Sequence, residues 1–238
     1  MRNLLLVSTS TTFGTDYLEH CAPQILDLFH GSDVEHVLFI PYALFDRDGY
    51  ADKAHSAFLD MGLGLESIHH SPDPVAAIHE AKGMFIGGGN TFRLLKTLHD
   101  LDLIEPIRNR VAKGMPYLGT SAGSNVACPT IMTTNDMPIV YPPTFAALNL
   151  VPFQINAHYR DPDPDTTHMG ETRDTRIREF HEENSAPVVA LREGAMLTVN
   201  GDSVTLIGES GGQLFRPGGS AENCLAGGRI DTLIGRHQ

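Results

Sequence analysis

The segment Gly119-Thr120-Ser121-Ala122-Gly123 follows the apolar run Met115–Leu118 and leads into a stretch of small residues. It fits G-x-S-x-G at a strand-to-helix turn. Glycines there let a strand and a helix approach closely, and the serine is held on a strained turn with its hydroxyl exposed as a nucleophile. A tight packing corner would use the same glycines, so the chemical reading needs partners.

A serine nucleophile needs a base, an acid to orient the base, and donors for the oxyanion. Gly87-Gly88-Gly89-Asn90 offers unhindered backbone N–H groups at Gly88 or Gly89, which would join the N–H of Ala122, the residue after the serine. Among twelve histidines, His158 ends the apolar run VPFQINAH and so belongs at a strand terminus. The rival pair His69-His70 ends an earlier strand, where neighbouring residues point to opposite faces. Two acids compete. Glu193 closes the run PVVALRE, and Asp136 lies in TTNDMPIV. Each also reads as a turn or capping residue. An α/β-hydrolase runs Ser, acid, His; Asp136 would reproduce that order, whereas Glu193 gives Ser, His, Glu.

The surrounding elements must place these residues on one edge. LLLVSTS, EHVLFIPYA, GLGLESIHH, GMFIGGG and MPYLGT read as strands. The segments between them read as helices over 17–29, 51–61, 74–81 and 91–112, the last whole or broken near Pro106. This rhythm predicts an α/β fold, a doubly wound, mostly parallel sheet with ligands at the carboxyl ends of its strands. Both glycine-rich segments fall at such ends. Further on, ETRDTRIREFHEEN reads as a charged helix. PVVALREG, AMLTVNGDSVTLIGE and GGQLFRPGG read as strands, with a C-terminal β-hairpin turning at Asn200-Gly201. Without a clean linker or repeat, residues 1–238 read as a single domain.

Composition narrows the partners. Apolar residues make up 41% and charged residues 19% of 238, enough for a sizeable core. A net charge of -12 argues against nucleic acid or an anionic membrane as partner. No apolar run is long enough to span a bilayer, and the N-terminus reads as a first strand. Three cysteines without metal-type spacing read as free thiols in a reducing cytoplasm.

The blocks GGGNTFRLL, GTSAGSNVACPTI, TTNDMPIV, QINAHY and GETRDTRIRE, within residues 83–193, resemble in order and spacing the S51 family of serine peptidases, the α-aspartyl dipeptidases. The resemblance implies a class I glutamine amidotransferase-like (flavodoxin-like) fold. It also implies hydrolysis of small Asp-X dipeptides without metal or cofactor. It makes Ser121 the nucleophile, His158 the base, and either Glu193 or Asp136 the third member, with Glu193 favoured. Amidotransferases carry cysteine at the elbow, so Ser121 argues against a glutaminase.

An Asp-X substrate needs a cation for its side-chain carboxylate and an anion for its free amine. Arg173 and Glu171, within GETR, suit those roles, and Asn90 could add a hydrogen bond. Both charges also read as first-turn surface residues of a helix. The Asp- and Pro-rich stretch 160–170 is a candidate lid or a plain solvated loop. A cyanophycinase-like or isoaspartyl peptidase and a non-catalytic, amidotransferase-like binding domain are the competing readings. A nucleotide-binding domain using GGGN ranks below both, because GGGN lacks the G-x-G-x-x-G spacing.

Overall fold

The computed structural model describes residues 1–165, 167 and 169–230. Its first half realises the expected alternation. Strand β1 (Asn3–Val7) is followed by α1 (Ala22–His30), β2 (His36–Ile40), α2 (Arg47–Asp60), β3 (Gly64–Ser67), α3 (Pro74–Glu80) and β4 (Met84–Ile86). Then come α4 (Thr91–Asp100), α5 (Ile104–Ala112), β5 (Tyr117–Thr120) and the short α6 (Ala122–Val126). The second half holds β6 (Gln154–Tyr159), α7 (Arg173–Glu183), β7 (Val188–Arg192), β8 (Ala195–Asn200), β9 (Ser203–Gly208), β10 (Gly212–Phe215) and β11 (Glu222–Cys224).

Seven strands form the main sheet in the order β3-β2-β4-β5-β1-β8-β9. The first five are parallel, and the β8–β9 hairpin adds two antiparallel strands beside β1. With β1 counted last, the parallel strands follow the flavodoxin-like order. Strand alternation sorts the core to two faces. Leu5 and Val7 pack with Ile25, Phe39, Phe58 and Phe85 on one side, where Phe85 stacks between Phe39 and Phe58. Leu4 and Leu6 face the other side with Leu94, Leu98, Ile107 and Val126.

One expectation is corrected. The break in the 91–112 helix falls at residues 101–103, where Asp102 adopts φ 53°, and not near Pro106. Pro106 sits in the first turn of α5, where its missing N–H costs no intrahelical bond. The later strands are divided between two sheets. β11-β10-β7-β6 form a second, four-stranded sheet, in which β6 and β7 are parallel. Apolar side chains of this sheet, among them Ile155, Val189, Leu191 and Leu214, share the main core with Leu4 and Leu6. The sequence pattern shows strands but not which sheet each joins. No helix of the described residues is long and apolar enough to cross a membrane.

Candidate active site

Ser121 is the hinge between β5 and α6, with φ 49° and ψ -107°. A non-glycine residue holds such a conformation only where its surroundings enforce it. Here they do. The Ser121 N–H donates to Val7 O at 2.9 Å, and its carbonyl accepts from the Ser124 and Asn125 N–H groups. The flanking glycines are dictated by contact. A Cβ at Gly119 would lie 2.6 Å from Gly123 O, and one at Gly123 would run into Ile86 O. Strand, turn and helix are therefore packed backbone to backbone, and the serine side chain is the group left at the surface of the turn.

His158 reaches this serine from the second sheet. Its Nε2 lies 2.9 Å from Ser121 Oγ. The β6–β7 register shifts between Asn156 and Tyr159, and His158 adopts φ 55°, so a local irregularity near the strand end aims the ring. Its backbone N–H donates to Ser8 Oγ at 3.0 Å, and that hydroxyl donates to Leu191 O at 2.9 Å. Ser8 follows β1, so one fully buried hydroxyl joins the main sheet to both β6 and β7. On its other side, His158 Nδ1 lies 3.3 Å from Glu193 Oε1. Glu193 occupies the tight β7–β8 turn, whose next residue, Gly194, has φ 81°. The histidine and glutamate side chains are 37% and 49% exposed, so this pair works in contact with water.

Asp136 is elsewhere. Its carboxylate accepts from the Thr91 backbone N–H at 2.7 Å and from Thr91 Oγ1 at 2.6 Å, which places it on the amino terminus of α4. Both the unpaired N–H groups of a helix start and the helix dipole favour an anion there. No hydrogen bond joins it to His158 among the described residues. Asn90 is similarly occupied. Its Oδ1 caps α4 through the Arg93 N–H at 3.0 Å, and its Nδ2 donates to Met137 O at 2.9 Å. Asn90 and Asp136 together fix the exit of the glycine loop, and both polar groups of the Asn90 side chain are engaged there.

The glycine loop lies against the serine. A Cβ at Gly88 would sit 3.1 Å from Ser121 Cβ and 3.3 Å from Thr120 O. The Gly88 backbone hydrogen-bonds the Tyr50 hydroxyl, which also accepts from Tyr17 at 3.2 Å. Burial pushes the Tyr50 phenol up to about 12, so it stays neutral. Gly89, at φ 134°, has an N–H with no acceptor among the described residues. Ala122 is the first residue of α6, and its N–H is one of those a helix start leaves without an intrahelical acceptor.

Arg173 opens α7, which is capped by Thr172. The Tyr159 hydroxyl donates to Asp174 Oδ1 at 2.6 Å, so this helix start is tied to the residue after His158. Arg173 is half-buried and has no anionic partner among the described residues. Its pKa is lowered by burial and then by the nearby charges of Arg176 and Arg160. Three arginines thus concentrate positive potential on an acidic protein. Glu171 is not free within that group, because it pairs with Arg176 at 3.5 Å. The loop that follows β6 is anchored at its start, where Asp161 accepts a two-pronged contact from Arg192 at 2.6 and 2.7 Å. Thr166 and His168 of the expected lid lie outside the described residues.

Sequence reasoning passed over Ser8, Tyr50 and Thr91. Ser8 carried one available signal, a hydroxyl just past the first strand on the edge where the other site residues fall. Tyr50 and Thr91 carried none, since a helical tyrosine and an N-terminal helix threonine are ordinary.

The sequence pattern of peptidase family S51 matches residues 4–207. The chain is 47% identical to Peptidase E of Streptomyces coelicolor over 98% of this chain and 95% of that one. It is 48% identical to a Drosophila melanogaster protein named probable alpha-aspartyl dipeptidase, over 93% and 92%. Among solved structures, a peptidase from an acI-B1 Actinobacterium superposes with a TM-score of 0.72 at 16% identity, covering 97% of this chain and 96% of that one.

Proposed function

Because the chain belongs to peptidase family S51, we propose that this peptidase hydrolyses dipeptides with an N-terminal aspartate through an acyl-enzyme on Ser121. The observation that carries the mechanism is the 2.9 Å approach of His158 Nε2 to Ser121 Oγ on a strained elbow. His158 takes the hydroxyl proton as Oγ attacks the carbonyl after the aspartate. The oxyanion forms beside the Gly89 and Ala122 N–H groups, while Gly88 is held by Tyr50. His158 then protonates the leaving amine, and water resolves the ester by the reverse path. Glu193 orients the imidazole and stabilises its charged form. Asp136 acts indirectly, by fixing the glycine loop.

The half-buried Arg173, with Arg160 and Arg176 nearby, supports capture of the aspartate carboxylate. Glu171 would reach the substrate ammonium only by giving up its exposed contact with Arg176. The core shared by the two sheets supports a single domain, although residues 231–238 lie outside the described residues. The three buried free cysteines support a reducing, cytoplasmic setting.

The test compares release of free aspartate from Asp-Leu, β-Asp-Leu, N-acetyl-Asp-Leu and Ala-Leu. Cleavage confined to Asp-Leu is expected, with Ser121→Ala slower by at least ~10³-fold. Preference for β-Asp-Leu would move the assignment to an isoaspartyl peptidase, and turnover retained by Ser121→Ala would remove the nucleophile.

A further inference from the structure

His69 and His70, which the serine chemistry does not use, are themselves organised. After β3 the chain makes a 3-10 turn, Ile68–His70, and the two rings lie with centroids 4.0 Å apart. Both bring Nε2 to the same atom. His69 Nε2 is 3.0 Å, and His70 Nε2 is 2.9 Å, from Asp48 Oδ1 on the first turn of α2. The three donor atoms lie within 4.8 Å of one another. We propose that Asp48, His69 and His70 form a binding site for a divalent transition-metal ion of the zinc type, separate from the Ser121 site.

The donor set fits such an ion. Two imidazoles and one carboxylate suit zinc and its neighbours, whereas calcium and magnesium seek oxygen-rich shells. Metal–ligand bonds of ~2.0–2.1 Å at tetrahedral angles put ligand atoms roughly 3.3 Å apart. The two contacts to Asp48, 2.9 and 3.0 Å, need to open by a few tenths of an ångström, and the two histidine nitrogens, within 4.8 Å of each other, need to settle to the same spacing. A second shell is already present. Ser67 Oγ lies 2.6 Å from His69 Nδ1. A hydroxyl both donates and accepts, so it serves the apo tautomer and also the Nδ1–H tautomer that frees Nε2 for a metal. His69 is 11% exposed, while His70 and Asp48 are 63% and 81% exposed. One ligand is therefore fixed and two can adjust, with water completing the shell. His70 also lines an open cleft of about 1160 Å³, which gives the ion a path in.

The ion would clamp the start of α2 to the end of the edge strand. Two strands, β2 and β4, separate β3 from β5 and its serine. The role is structural, and the site supplies no step of the hydrolysis.

The experiment is equilibrium dialysis of the chelator-treated full chain against zinc ion, with metal counted per chain and cobalt ion used as a spectroscopic stand-in. Wild type should hold one zinc per chain and give a cobalt visible band. His70→Ala and Asp48→Asn should each bind at least ~10-fold more weakly. Both replaced residues are largely exposed, and a circular-dichroism melt without metal will show that the variants fold. Zinc should raise the melting temperature of wild type and not that of the variants. His158→Ala should keep the zinc. Absence of stoichiometric binding by wild type would overturn the proposal. So would binding that survives both site variants, or binding lost in His158→Ala instead.

Discussion

The two sheets build their halves of the proposed active site by opposite means. On the main sheet, Ser121 and the glycine loop are set by backbone packed on backbone, with no room for a methyl group at Gly119 or Gly123. On the second sheet, His158 and Glu193 are held by side-chain contacts in partial contact with water. Both halves use a strained residue, Ser121 at φ 49° and His158 at φ 55°. Only the first is flanked by glycines packed backbone on backbone. The proposed nucleophile is therefore rigid and its orienting pair adjustable. Errors in the first half should be catastrophic, and those in the second graded.

The largest effect should come from Gly123→Ala. Its new methyl group would meet Ile86 O, which belongs to β4 and leads straight into the glycine loop. Overpacking against backbone cannot be relieved by a rotamer change. Activity on Asp-Leu should fall by ~10³-fold or more, with a clear drop in melting temperature. A folded and active Gly123→Ala would break the contrast, because the elbow would then be as tolerant as the second sheet.

Next come the two acids. Glu193→Gln keeps a hydrogen-bonding group beside His158 Nδ1 but removes the charge. A buried triad acid is worth about 10⁴ in kcat when made neutral. Glu193 is half exposed and 3.3 Å away, so a loss of about 10²-fold is expected. Asp136→Asn should instead stay within about 10-fold in kcat and lower the melting temperature, since it weakens a charge-assisted contact to the start of α4. Measured kcat and melting curves for both variants decide the matter. The reverse ranking would make Asp136 the working acid.

Legibility divides along the same line. Glycine spacing reports backbone contact, so G-x-S-x-G and GGGN marked the main-sheet half directly. The strand–helix rhythm likewise pointed to the parallel sheet, and Asn200-Gly201 to the hairpin. His158 was legible as the end of an apolar run. Its approach to the serine depends on β6 pairing with β7 in a separate sheet and on the Ser8 hydroxyl joining the two sheets. Ser8 lies 150 residues from His158 and 183 from Leu191, and β6 and β7 are separated by a whole helix, so no local pattern encodes these pairings. For the same reason Glu193 and Asp136 looked alike as turn acids. Their contacts separate them: Glu193 reaches His158, whereas Asp136 is held by Thr91. The family resemblance favoured Glu193 for a reason unrelated to this geometry.

A smaller, more selective effect is expected at Arg173. Removing a charge-assisted, two-pronged contact typically costs 1.5–3 kcal/mol, or about 10- to 150-fold. Arg173→Ala should lower kcat/KM for Asp-Leu within that range. Arg173→Lys should recover part of it, because lysine supplies the charge without the planar fork. The melting temperature should barely move, since the arginine has no partner to lose among the described residues. A loss that appeared equally on a neutral dipeptide would assign Arg173 to the helix and not to the substrate.

The smallest effect lies at the base of the candidate lid. The Arg192 guanidinium holds the Asp161 carboxyl below its usual range, with a further hydrogen bond from Gln213. A carboxylate whose pKa is lower in the folded state adds stability above its unfolded value of about 3.9, and loses it as pH falls through the folded value. Asp161→Asn should therefore melt below wild type at pH 7, and the gap should close as the pH falls below the unfolded value and on through the lower folded one. Asp161 is 48% exposed, so water and salt screen the pair and the gap should be only a few degrees at most. If the gap persists unchanged at low pH, the contact acts through shape and not charge. The second sheet would then be less electrostatic, and closer in kind to the main one, than its exposed pairs suggest.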